Sequence, residues 1–297
     1  MHPALASSEA TCSTSLAFGS LRAPLRGACG LTLPARAAEN THAVILRSVD
    51  VGESDRILHL LVPEHGRVTA MAKGARRSAK RFAGTLDLFN HLRVSLHRPR
   101  GQEIGRLDQA VLVRHYAPLR TDAARFALGC YLLELLDRLA PEGGARRDME
   151  RLFRFALDSF EAIAAHRPDP ALRTILELRA LDALGLRPEL RRCVGCSREL
   201  AGEQAVGFHV ADGGPVCGAC AARRSGVLPV HVGTLRALDR ALALDAGQLD
   251  RLILSARAVE EARSVVGRFQ LFHVGVELRS QRFLDRMLGG KPPPSRL

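Results

Sequence analysis

From His42 onward the apolar residues come in short bursts. HAVILRSV, RILHLLV, RVTAMAK, FNHLRVSLH and QAVLVRHY are rich in β-branched and aliphatic residues, and VDVGESD, PEHG, KGARRSAKR and RPRGQE between them are turn and loop material. Five strand-like runs in about 75 residues, with no long helical period among them, predict a small closed or half-closed β-barrel. The OB-fold is one such five-stranded solution.

At Thr121–Asp122 the period lengthens. TDAARFALGCYLLELLDRLAPE opens with an N-cap residue, keeps an apolar stripe through Phe126, Tyr131, Leu133 and Leu136, and is stopped by Pro141. RRDMERLFRFALDSFEAIAAH (146–166) and PALRTILELRALDALGL (170–186) predict two more amphipathic helices, with Pro170 at a start and Gly185 at a stop. Beyond residue 226, VGTLRALDRALAL, a longer stretch around 257–275 and VELRSQRFLDRML return to the helical period. There is no internal repeat.

Between the two helical blocks lie Cys193-Val-Gly-Cys196 and Cys217-Gly-Ala-Cys220, separated by twenty residues. This is the upper edge of the spacing of a C-x₂-C…C-x₂-C zinc site. A two-residue spacer lets both sulfurs of a knuckle face one ion, and Gly195 and Gly218 are expected to give the backbone freedom for it. AVGFHV and ADGGPV between the knuckles read as a hairpin turning at Asp212-Gly213-Gly214, which makes the segment a small zinc ribbon. Four thiolates fill a tetrahedral ion, so the metal, one Zn²⁺, is expected to be structural. His209 reads as a strand residue and not as a further ligand. A thioredoxin-like redox pair would need a βαβ setting that is missing here. A ribbon this short is expected to have almost no core and to fold only with its metal.

These patterns describe an α+β multidomain chain: a head (1–39), an OB-fold barrel (40–118), a helical domain in two pieces (119–190 and 227–290), the ribbon insert (191–226) and a disordered tail (291–297). The head keeps no lasting periodicity. Its Ala, Ser, Gly and Leu texture with Arg22, Arg26 and Arg36 faintly resembles an organellar transit peptide. The plainer expectation is an unstructured head, or a start codon set too far upstream.

Charge adds a partner class. The formal net charge is +12, and residues 40–118 carry thirteen basic against seven acidic side chains. A polyanion is the expected partner, and the barrel its seat. No run of 18 apolar residues predicts a membrane span. Within the barrel block, KGARRSAKR gathers Lys73, Arg76, Arg77, Lys80 and Arg81 in nine residues with no acid interspersed, a loop suited to following a phosphate backbone. A merely solvated charge run is the competing reading. Phe82 is open to two roles, stacking on a base or filling the core. Glu53 and Asp55 in VGESD form a pair of acids whose ordinary role is to cap or solvate a turn. Arg191, Arg192, Arg223 and Arg224 flank the ribbon and suit either DNA or helix-end roles. No phosphate-binding loop, dinucleotide fingerprint, nucleophile elbow or H-E-x-x-H motif is present, so the chain is not expected to be an enzyme.

THAVILRSVDVGESDRILHLLVPEHGRVTAMAKGARRSAKRFAG at the barrel, LELRALDALGLRPELRRCVGC leading into the first knuckle and FHVADGGPVCGAC closing the second together resemble the RecO family of bacterial recombination mediators, over roughly residues 40–290. The resemblance implies an N-terminal OB-fold, a helical domain and a zinc ribbon held by Cys193, Cys196, Cys217 and Cys220. It also implies binding of single- and double-stranded DNA, annealing of complementary strands, and partnership with RecR and the C-terminal tail of the single-strand-binding protein SSB in loading RecA. The protein would then be cytoplasmic and nucleoid-associated. The KGARRSAKR loop falls in the family's DNA-binding barrel, and the SSB-tail site falls in the helical domain without a motif that names its residues. The 39-residue head departs from the family, whose first strand comes almost at once. A rival from another class is a zinc-ribbon adaptor in transcription or translation that works through protein contacts. A zinc-dependent hydrolase would need an open metal position that four cysteines do not leave.

Overall fold

The five apolar bursts form β1 (Glu39–Val51), β2 (Asp55–Val62), β3 (Gly66–Ala72), β4 (Asn90–His97) and β5 (Gly105–His115). They close into a barrel of order β1-β2-β3-β5-β4, the arrangement of the expected OB-fold. Closure depends on a short parallel contact, Ala70 opposite Gly105 and Met71 opposite Arg106. Ala43, Ile45, Leu58, Leu60, Ala70, Leu92, Val94 and Leu107 fill the interior with Phe82 and Leu86. Val44 and Leu46 face the other way, into a core shared with the helices. Burial on both faces is why alternation is lost in the run Ala43–Leu46. The computed structural model describes residues 38–289 except 79, 83, 98–103, 201, 276 and 277. The expectations for residues 1–37 of the head and for the tail at 291–297 fall outside the described residues.

After a single turn, α1 (Pro118–Thr121), come α2 (Ala123–Leu139), α3 (Arg146–Ala165) and α4 (Pro170–Ala183). Asp122 caps α2 by accepting from Arg125 N at 2.8 Å, and Asp169 caps α4 by accepting from Leu172 N at 2.7 Å ahead of Pro170. Gly185 takes φ +78° just past α4, as its place in the sequence suggests. Helix α2 is buried around most of its circumference, and the expected stripe needs one correction: Phe126 is 39% exposed while Tyr131, Leu133 and Leu136 are buried. The barrel is seated on these helices by polar links as well, including His59 Nδ1 to Asp137 Oδ1 at 2.5 Å and Arg67 N donating to Pro141 O at 2.9 Å.

The cysteine segment leaves the helices after α4 and returns to them. It comprises β6 (Ala205–His209), β7 (Gly214–Val216), the turn α5 (Gly218–Ala221) and β8 (Leu228–His231), in a sheet of order β7-β6-β8. The hairpin was legible; its third strand was not. Helices α6 (Val232–Ala243), α7 (Ala256–Val274) and α8 (Gln281–Met287) follow, with a 3₁₀ turn at Ala246–Arg251. The ribbon is not coreless, contrary to expectation. Val206, Phe208, Val216 and Val230 pack in one cluster with Leu178 and Leu181 of α4, Leu235 and Leu238 of α6, and Val265, Val266 and Phe269 of α7. Among the described residues no helix is long and apolar enough to cross a membrane.

Candidate nucleic-acid interface and metal centre

The basic loop leaves β3 through a turn that Asp55 organises. Its Oδ1 accepts from Gly74 N at 2.8 Å and from Ser54 Oγ at 2.9 Å, and these bonds hold the carboxyl below the usual range. Arg76 N donates to Ser54 O at 3.0 Å, so the loop is zipped onto the β1–β2 turn. Gly74, at φ +66°, supplies the left-handed conformation there. Further along, Arg81 N donates to Ser78 Oγ at 3.1 Å, Arg81 Nη2 to Lys73 O at 2.7 Å, and Ala110 N of β5 to Arg81 O at 3.3 Å. The loop is thereby fixed at both ends to the barrel. Lys73, Arg76, Arg77, Lys80 and Arg81 are all exposed.

Two sequence readings change here. The loop contains no acid of its own, but acids reach it from the neighbouring turn: Glu53 Oε2 lies 2.8 Å from Arg77 Nη2, and Asp50 Oδ2 lies 3.7 Å from Arg76 Nε. Asp50 Oδ1 also accepts from Arg56 Nε at 2.8 Å, which brings a sixth cation, missed in the sequence, beside the loop. Arg56 sits alone in an apolar strand run, and only the hairpin register, Asp50 opposite Arg56, could have pointed to it. Phe82 resolves toward the core: it is 3% exposed, with the Arg81 guanidinium 5.1 Å from its ring centre. Asp55 caps the turn, as expected, whereas Glu53 pairs with Arg77 instead of only being solvated.

The four cysteine sulfurs lie within 4.8 Å of one another, and Cys196 Sγ and Cys217 Sγ are 3.9 Å apart. Four thiolates about 2.3 Å from a central ion would stand roughly 3.8 Å apart, so the set fits one tetrahedral metal. All four are free of disulfides. Burial of Cys193 opposes ionisation but is outweighed by the N–H groups of Cys217, Gly195 and Cys196, which bring its thiol down to about 6. The Cys220 N–H lowers Cys217, whereas sharing a proton with Cys217, together with burial, pushes Cys220 up to about 12. Thiolates crowded this closely need a cation for all four to ionise together.

The backbone builds this clasp differently from the expectation. The left-handed residue of the first knuckle is Ser197, at φ +61°, whose N–H donates to Cys193 O at 2.7 Å. Gly195 is needed for space, because a Cβ there would lie 2.9 Å from Cys220 Sγ. Gly218 opens α5 with no such crowding. Val194 N donates to Pro215 O at 2.9 Å and ties one knuckle to the other. His209 is a strand residue, its Nδ1 3.1 Å from Asp212 Oδ2. Of the flanking arginines, Arg191 pairs with Asp239 at 2.7 Å, Arg192 with Glu199 at 3.2 Å and Arg224 with Asp212 at 2.6 Å.

Residues 37–116 match the family model described as Recombination protein O N terminal, and residues 120–282 match Recombination protein O C terminal. The chain is 38% identical over 253 residues to a DNA repair protein RecO of Anaeromyxobacter dehalogenans, covering 83% of this chain and 97% of that one. It is 33% identical over 251 residues to the protein of the same name from Symbiobacterium thermophilum, covering 84% and 97%. Against that of Bacillus velezensis it is 30% identical over 244 residues, covering 82% and 92%.

Proposed function

Because the chain belongs to the RecO family of DNA repair proteins, with a role in recombinational repair, we propose that it is a non-enzymatic DNA-binding mediator that anneals complementary strands. Its DNA seat is the barrel, with Lys73, Arg76, Arg77, Lys80 and Arg81 as phosphate contacts. The observation that carries this reading is a loop of five cations anchored to a rigid barrel through Asp55–Gly74 at one end and Arg81–Ala110 at the other. A fixed cationic ridge screens the repulsion between two phosphate backbones, which is the barrier that opposes pairing. The acids beside the loop do not cancel this. The Arg77–Glu53 pair is 68% and 88% exposed, a class worth about 0–1 kcal/mol, so a phosphate displaces the carboxylate at small cost.

The same reading extends to partners and metal. The protein works with RecR to load RecA on strands coated with SSB, whose C-terminal tail docks on the helical domain, and it does so in the cytoplasm at the nucleoid. Cys193, Cys196, Cys217 and Cys220 hold one structural Zn²⁺. Bound there, the ion neutralises the thiolates and pins the two knuckles; its role is architectural.

The test is fluorescence anisotropy of labelled oligo-dT over a salt series. Each neutralised phosphate contributes a log–log slope of about −0.7 on single strands, so a slope of about −3 or steeper is expected. Alanine at all five loop positions should flatten it and slow annealing at low salt. Weak, salt-insensitive binding by the unmodified protein would overturn the reading and favour a zinc-ribbon adaptor acting through protein contacts.

A further inference from the structure

Between the basic loop and the segment leading to β4 lies a cavity of about 510 Å³, lined by Arg56, Arg76, Arg77, Phe82, Leu86 and Asp87. Its parts differ in chemistry. Asp50 engages Arg56 and Arg76 through their Nε atoms, 2.8 and 3.7 Å away, and so holds two guanidinium groups at the cavity. Phe82 and Leu86, 3% and 4% exposed, contribute only a narrow apolar edge beneath it, and the Arg81 guanidinium lies over the Phe82 ring. Asp87, 3.4 Å from Arg120 Nη1, sets a carboxylate acceptor on the wall.

A bare anion would leave that apolar edge unused and would be repelled by Asp87. A nucleotide uses every part: guanidinium donors for its phosphate, guanidinium planes and the apolar strip for its base, and a carboxylate for an N–H on the base edge. The site is an open groove whose volume has room for one base and its phosphate. Taking the loop as the DNA contact, as proposed above, we infer that this cavity receives one unstacked nucleotide of a single strand. Its phosphate lies toward Arg56, Arg76 and Arg77, and its base packs against the guanidinium planes with one edge on the apolar strip of Phe82 and Leu86. Paired, stacked bases of a duplex cannot enter. Every base carries at least one N–H for Asp87, so the cavity reads strandedness and not sequence.

The experiment compares an oligo-dT strand with a fully abasic strand of the same length, by anisotropy at one salt concentration. The two strands carry equal phosphate charge. The unmodified protein should bind the base-bearing strand at least about fivefold tighter, the lower end of what one stacked base contributes. Ala75→Leu, which narrows the cavity and removes neither a cation nor a loop hydrogen bond, should bring the two affinities together. The smaller Ala75→Val serves the same purpose if Ala75→Leu does not fold. Equal affinities for the two strands in the unmodified protein would overturn the inference and leave the loop's phosphate binding standing. So would a preference for base-bearing DNA that survives narrowing of the cavity, because the base would then be held elsewhere. Failure to bind either strand would sink the DNA-binding reading itself.

Discussion

Phe89, from the segment entering β4, lies so close to Gly129 of α2 that a Cβ on Gly129 would stand 2.6 Å from Phe89 Cε1. Phe89 takes φ +63°, is fully buried, and meets Phe126 and Phe160 edge-on at 5.6 and 5.7 Å. This ring is one of the points at which the barrel is keyed into the helices. Gly129→Ala should therefore cost about 1–3 kcal/mol through overpacking, lowering Tm in a thermal melt followed by circular dichroism. Helix propensity alone predicts the opposite sign, a gain of about 1 kcal/mol, so a higher Tm would show that the ring yields freely.

Cys196→Ser or Cys217→Ser should reduce bound zinc from about one ion per chain to none, measured by elemental analysis. Because β6, β7 and β8 share a core with α4, α6 and α7, the loss should also lower the main melting transition of the protein. A metal-free variant with an unchanged melt would show that the shared core alone holds the ribbon.

Two acids beside the basic loop should act in opposite directions. Glu53→Gln releases Arg77 and should tighten single-strand binding by roughly two- to fivefold, the range of an exposed ion pair. Asp55→Ala raises net charge by the same amount but removes the acceptor of Gly74 N, and should weaken binding as the loop loses its anchor. If both variants bind more tightly, charge alone governs affinity and the loop's shape does not matter.

Acid stability should depend on Glu261. Burial works to raise its carboxyl, but Thr234 Oγ1 at 2.6 Å, the N–H and ring of His231, and Arg257 hold it down to about 2 from an ordinary 4.5. A depressed carboxyl stabilises the fold fully above pH 4.5, and the contribution is lost as pH falls toward 2. Glu261→Gln should remove on the order of 1–3 kcal/mol at neutral pH and make urea midpoints fall less steeply between pH 4.5 and 2. Parallel pH profiles for the two proteins would exclude this role.

The sequence made the barrel legible because each strand mixes buried apolar residues with turn-bounded polar ones, and it made the clasp legible because thiol spacing is a local property. What escaped was non-local. Strand β8 has four residues, one of them Pro229, and is intelligible only as an edge strand beside β6, just as Pro215 is tolerated in the opposite edge β7. VELRSQRFLDRML reads as one helix, yet α8 begins only at Gln281. Glu134 of α2 accepts from Arg279 N at 2.9 Å and Ser280 N at 2.8 Å, tying the residues just before α8 to α2 from 145 or 146 residues away. The same holds for the loop: its own residues were evident, but Asp50, Glu53 and Arg56 join it only through the hairpin and barrel closure.

Helix α8 closes the helical core with a buried charge. Arg173 donates to Asp285, 112 residues ahead, as well as to Glu177 Oε1 at 2.8 Å, and Tyr131 Oη donates to the same carboxylate at 2.7 Å. During synthesis at roughly 5–20 residues per second, a ribosome would have made Arg173 about 6–22 s before its second partner exists. The barrel, complete by His115, needs nothing from that later chain for its closure. A nascent chain would thus hold all five barrel strands while Arg173 still waits for Asp285, and removal of α8 would leave Arg173 with one carboxylate instead of two.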